Sequence, residues 1–148
     1  MRASPAHTNP TTRLFLATLF LTVAFACQSH TTQLVKSEAR ADEASVVAAL
    51  RTVALAQQSY AATNEGNFGT FEQLTEGSYL DARFASGNPE LHGYVLNMTV
   101  EDKTFKCNAD PTASGDKKGR HFYLDSTSTL VRVNPTQPAS ASDEIVKF

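Results

Sequence analysis

No CxxC pair, no tryptophan, no Gly-rich phosphate loop and no GxSxG elbow occurs in this chain, and each absence removes a class of chemistry. Without paired cysteines, neither a zinc site nor a dithiol redox site has its ligands. His92 and His121 have no Cys, Asp or second His at ligand spacing, so they read as surface or strand-end histidines. No serine, Ser59 included, sits in a nucleophile elbow. The adjacent carboxylates Asp42/Glu43, Glu101/Asp102 and Asp143/Glu144 fall at a cap, a turn and a tail, where sequence neighbours do not converge on one substrate. Asp110 and Asp116 lack the alternating acids of a calcium loop. No catalytic, metal-binding or cofactor-binding residue is therefore expected, and the chain does not read as an enzyme.

Positive charge is scarce as well. Thirteen Lys and Arg stand against fifteen Asp and Glu, a formal net charge of -2. The only basic cluster, Lys117, Lys118 and Arg120, lies in a loop-like segment and reads as solvated. A phosphate-backbone binder needs a basic patch, so no nucleic-acid partner is expected.

A run of about 20 apolar residues, the length a spanning helix needs, is also missing. The longest run is LFLATLFLTVAF, residues 14–25. It follows a start that carries Arg2 and Arg13 and no acid, and it ends in Ala24-Phe25-Ala26, with small residues at the first and third places. Residues 1–26 thus read as a signal peptide cut after Ala26. Losing those two arginines lowers the net charge from -2 by two, to -4.

Cys27 follows at once. Apolar core, small residue, then cysteine resembles the lipobox of bacterial lipoproteins, in which the cysteine is diacylated and becomes the first mature residue. Lipoboxes usually have Leu or Val where this chain has Ala24, and Phe25 is bulkier than usual. The Ala-x-Ala pattern also suits an ordinary signal peptidase, which leaves plain secretion as the alternative. Buried acyl chains contribute about 0.8 kcal/mol per methylene, so several of them hold a protein on a membrane. If Cys27 is acylated, Cys107 stands alone; if it is a free thiol in an oxidising compartment, the two could close one long loop. Cys107 also fits an inward-facing strand residue, between Lys106 and Asn108 in an alternating run.

Residues 42–64 carry Val46, Val47, Leu50, Val53, Ala54, Tyr60 and Ala61 at helical spacing, with Glu43, Arg51, Gln58 and Thr63 opposite. That stripe must be covered, and the downstream chain is what can cover it. Residues 27–41 read as a tether or a helix extension, with no Gly or Pro. Asn64, Glu65, Gly66, Asn67 and Gly69 predict a helix end at about Thr63. Thr70 predicts a cap for a short turn with Phe71 and Leu74 inward, and a second turn follows before Pro89.

From Tyr94 the period changes to alternation. Four strands are predicted: one from Tyr94 to Val100, one around Phe105 and Cys107, one from Arg120 to Leu124, and one from Thr129 to Val133. Glu101-Asp102-Lys103 and residues 125–128 are the turns, and residues 110–119 are an exposed loop. The fold class is α+β, a long N-terminal helix on an antiparallel meander of about four strands. Residues 134–148, rich in Pro, Ser and Ala, read as a disordered tail, with Ile145, Val146 and Phe148 available to dock weakly. Asn97-Met98-Thr99 fits a glycosylation sequon, which a bacterial leader makes irrelevant in most hosts.

Several phrases then stand in order: Asp42-Glu43-Ala44-Ser45 before the amphipathic run, Ala56-Gln57 before Tyr60, Gly66-Asn67-Phe68-Gly69-Thr70 leading to Leu74, Tyr79-Leu80-Asp81, Gly93-Tyr94, and Phe122-Tyr123-Leu124-Asp125. Over residues 42–133 this order resembles the globular heads of type IV pilins and pseudopilins. The resemblance implies the fold of the head and a structural or interaction role, with another envelope, pilus or secretion protein as partner. Pilins polymerise through a hydrophobic stem that starts with phenylalanine and bears a glutamate at its fifth position. Nothing like GFTLIE occurs here, and Cys27 with its leader stands in its place, so filament assembly is not expected. The alternative expectation is a soluble secreted or periplasmic module, taking a small ligand at the helix–sheet groove or at the 110–119 loop.

Overall fold

The computed structural model describes residues 10–112 and 119–147, with side chains described for residue 34 and from residue 36 onward. The chain divides into two compact units, Met1–Glu38 and Ala39–Phe148. Helix α1 spans Pro10–Thr63, so the backbone is helical through the stretch expected to be a tether or a helix extension. With no Gly or Pro between Gln28 and Ala41, nothing there breaks the hydrogen-bond ladder.

In the second unit, Val46, Val47, Leu50 and Val53 of α1 are wholly buried, while Arg51, Thr52, Leu55 and Gln58 are exposed. The helix ends where the sequence predicts. Glu65 and Gly66 take left-handed φ of 57° and 80°, and the Gly66 N–H returns to the Ala61 carbonyl at 2.9 Å.

Helix α2, Phe71–Glu76, opens on a capping box. Thr70 Oγ1 accepts from the Gln73 N–H and the Gln73 side chain accepts from the Thr70 N–H, which satisfies two of the donors a helix start leaves over. Phe71 and Leu74 are buried, as predicted. A single 3-10 turn, Ala82–Phe84, is capped by Asp81 and brings Phe84 onto Phe71, with ring centroids 6.0 Å apart.

The sheet has six antiparallel strands in chain order: β1 Glu90–Leu91, β2 Tyr94–Glu101, β3 Thr104–Pro111, β4 His121–Asp125, β5 Ser128–Asn134 and β6 Glu144–Ile145. The expected count of about four is thus corrected to six. The two additions are edge strands of two residues each, too short for alternation to show. Between β1 and β2, His92 and Gly93 both have positive φ, 52° and 76°, as a two-residue hairpin of type I′ requires. His92 is therefore a turn residue and opens no strand.

The segment after Asn134, expected to lack order, is tied down by specific bonds. Ala139 and Val146 are buried, Val146 N–H donates to the Val131 carbonyl at 2.8 Å, and β6 pairs with β5. Composition predicted disorder because few residues there can enter a core; two are enough when polar groups fix the rest.

Helix, connecting turns and sheet share one core. Leu50, Phe71, Leu74, Phe84, Leu96, Phe122 and Leu124 are its largest apolar members. Among the described residues, one wholly buried polar side chain enters it. Gln57 accepts from the Gly69 N–H at 2.9 Å and donates to the Gly69 carbonyl at 2.6 Å, so the chain leaving α1 is held as if paired in a ladder. Gln57→Leu leaves both Gly69 groups without a partner and should lower stability by about 1–3 kcal/mol per orphaned group. A lower urea midpoint at unchanged slope checks this. Gln57→Glu should be as damaging at neutral pH and recover in acid, since only the protonated acid donates to that carbonyl.

Candidate interaction surface

Side chains alternate across a sheet. Phe105, Cys107 and Ala109 of β3 and Phe122 and Leu124 of β4 enter the core, which sends the intervening residues to the outer face. Register aligns those residues in rows. One row runs through Asn97, Asn108, Tyr123, Arg132 and Ile145 over five strands. Another joins Thr99, Lys106, Asp125 and Ser128. The face is polar, and the exposed Leu130 and Ile145 stand at its β5–β6 margin.

The tail crosses this face. Asn108 Nδ2 donates to the Ala139 carbonyl at 2.9 Å and Arg132 Nη1 to the Asp143 carbonyl at 2.9 Å. Asp143 clasps the loop: its Oδ1 accepts from Asn134 Nδ2 at 2.8 Å, and its Oδ2 from the Ser140 N–H at 2.7 Å and hydroxyl at 2.8 Å. The Ser140 hydroxyl, then the Asn134 amide and the Ser140 N–H, hold the Asp143 carboxyl below the usual carboxylate range.

Strand pairing also makes contacts that linear spacing hides. His121 Nδ1 lies 2.6 Å from Asp110 Oδ1, and both side chains are half-buried. The tautomer that donates its Nδ1–H to the carboxylate would leave Nε2 as an acceptor, the orientation a general-base histidine needs. A concavity of ≈ 200 Å³ lies on the outer face against Thr99, Lys106, Tyr123 and Asp125, and another of ≈ 150 Å³ lies between Gln58, Phe68 and Thr129. His121 and Asp110 line neither. At the larger one several polar groups are engaged with one another: Asp125 Oδ1 accepts from the N–H and hydroxyl of Thr127, and the Thr104 hydroxyl donates to the Glu101 carbonyl. Burial alone would raise the Asp125 carboxyl, but the Thr127 and Tyr123 hydrogen bonds outweigh it and hold it low.

Arg120 departs from the sequence expectation of a solvated basic loop. Its Nη2 and Nε lie 2.7 and 3.0 Å from Glu43 Oε2, its N–H donates to Glu43 Oε1 at 3.2 Å, and its guanidinium stands 5.7 Å from the Phe122 ring centre. Glu43 is therefore an ion-pair partner, and it lies in the interior of α1, not at the helix cap expected for the Asp42/Glu43 pair. Burial, then the charge of Glu43, pushes the Tyr94 hydroxyl up to about 12. A Cβ on Gly119 would come 2.5 Å from the Tyr94 oxygen, so a side chain at that position requires the Tyr94 ring to shift. No local signal foretells this cluster, since Glu43 and Arg120 are 77 residues apart.

Ala26 and Cys27, the expected cleavage and lipidation positions, have helical backbone in α1; their side chains lie outside the described residues. Asp116, Lys117 and Lys118 lie outside them altogether. Cys107 is inward-facing and wholly buried, and burial, then the charge of Asp110, pushes its thiol up to about 12. Among the described residues no three His, Cys, Asp or Glu side chains gather as metal ligands, and no helix is long and apolar enough to cross a membrane. Comparison with models of protein families, with curated proteins and with solved structures gives no match.

Two outcomes are expected. Glu43→Ala should lower stability by about 1–3 kcal/mol, between the cost of breaking an exposed pair and a buried one, because the Arg120 side chain keeps part of its solvent. Urea unfolding measures it. The Asp143 clasp is fully formed above the ordinary carboxylate pKa of about 3.9 and is lost as pH falls through the lowered folded value. In an NMR titration the Ser140 amide signal should hold through pH ~4 and move only in stronger acid, and Asp143→Asn should abolish that step.

Proposed function

We propose that this chain is an exported cell-envelope protein, held on a membrane by lipid at Cys27, whose pilin-like head acts as an interaction module and not as a filament subunit. The observation that carries the anchor is the position of Cys27, directly after the apolar run and Ala26. Support for an interaction role comes from the head. Its outer face is a polar surface spanning five strands, whereas the larger of the two concavities described above has several of its polar groups engaged with one another. Its partner would be a second envelope component, such as a pilus or secretion protein. Neither nucleic acid nor a cofactor has a part in this reading, and the Asp110–His121 pair serves to join β3 and β4.

Metabolic labelling with a palmitate analogue tests the anchor. Label should be retained by the wild-type chain and lost in Cys27→Ala, with the variant released from the membrane fraction. An unlabelled wild-type chain recovered in the soluble fraction would leave a secreted binding module instead.

A further inference from the structure

We propose that Met98 is an oxidation site for peroxides, where one sulfoxide epimer forms in excess and loosens the tie between Gln57 and Gly69. The inference rests on no part of the lipid-anchor reading. Gln57 Nε2 has two protons and two acceptors, the Gly69 carbonyl at 2.6 Å and the Met98 sulfur at 3.2 Å. Gln57 is wholly buried, whereas Met98, packed against the core from β2, is only half-buried. The strand is open beside it: β1 pairs with Tyr94 and Val95 alone, and among the described residues no strand flanks that edge of β2 at Met98. Cys107, the other sulfur among the described side chains, is wholly buried and closed to the same reagent.

A thioether sulfur carries two lone pairs, and oxidation at each gives a different sulfoxide epimer. At Met98 the pair turned toward Gln57 is held by the amide N–H, and no oxidant fits into a 3.2 Å contact. The other pair is the one a peroxide meets. It attacks one peroxide oxygen and the O–O bond breaks, so the sulfur is oxidised by two electrons. The departing hydroxide takes the proton of the transferred oxygen and leaves as water. The product keeps a lone pair toward Gln57, but on a sulfur that now carries partial positive charge and accepts poorly. Its oxygen is polar and seeks water, which draws the side chain away from the core. One Nε2 proton is then left without an acceptor in a buried group, so Gln57 turns to find one and its hold on Gly69 weakens. Oxidation thus acts where the chain leaves α1.

The test treats the full folded chain with dilute hydrogen peroxide and isolates the tryptic peptide of residues 84–103, which holds Met98. The epimer-specific methionine sulfoxide reductases then read its sulfoxide. From the folded chain one enzyme should restore about tenfold more methionine than the other, whereas from chain oxidised in urea the amounts should be equal. Hydrogen exchange at the Gly69 amide should be about tenfold faster in the oxidised chain. In Met98→Leu, which nearly conserves volume, peroxide should leave that rate unchanged. Equal epimers from the folded chain, no sulfoxide at Met98, or a Gly69 rate that oxidation does not move would each overturn the proposal.

Discussion

Everything in the head follows from one demand, that the apolar stripe of α1 leave water. Val46, Val47, Leu50 and Val53 have no exposure left, and each such side chain contributes about 1.5–3 kcal/mol when fully buried. A single helix cannot bury its own stripe. The meander supplies the cover with Leu96, Phe105, Cys107, Phe122 and Leu124, while α2 and the 3-10 turn close the end with Phe71, Leu74 and Phe84. Every other element sits where this packing leaves it. The sheet can be polar on its far side because only one face is needed for the helix.

Polar devices then fix what burial alone would leave loose. Hydrophobic contact is not directional, so it sets neither the register of the chain leaving α1 nor the path of the loop that enters β4. Gln57 settles the first by pairing with both main-chain groups of Gly69. Glu43 settles the second by holding the Arg120 backbone and guanidinium together. Lys103, in the turn between β2 and β3, adds a third tie by donating to the Glu65 carbonyl just beyond the end of α1. The last two join α1 or its C-terminal exit to chain that lies far along the sequence.

How much of this was legible beforehand depends on whether the cause was local. The helix end at Thr63, the Thr70 cap, the hairpin at Asp102 and the inward side of Cys107 were all readable, because each rests on residues within one turn or one strand. The Glu43–Arg120 and Asp110–His121 pairs were not. They exist because strand pairing and helix packing bring distant residues together, and no spacing rule encodes that. Edge strands β1 and β6 escaped because two residues make no period. Order in the tail was missed for a different reason: average composition predicted disorder, whereas Asp143, Asn134 and Ser140 act as individual groups with individual geometry.

The sealing of Cys107 gives the molecule an internal clock. Its sulfur is wholly buried and its thiol is pushed up to about 12 by that burial, so a thiol reagent in solvent meets it only when β3 comes away from its neighbours. The rate at which Cys107 itself is modified would thus count openings of the sheet, one event at a time and without an attached reporter.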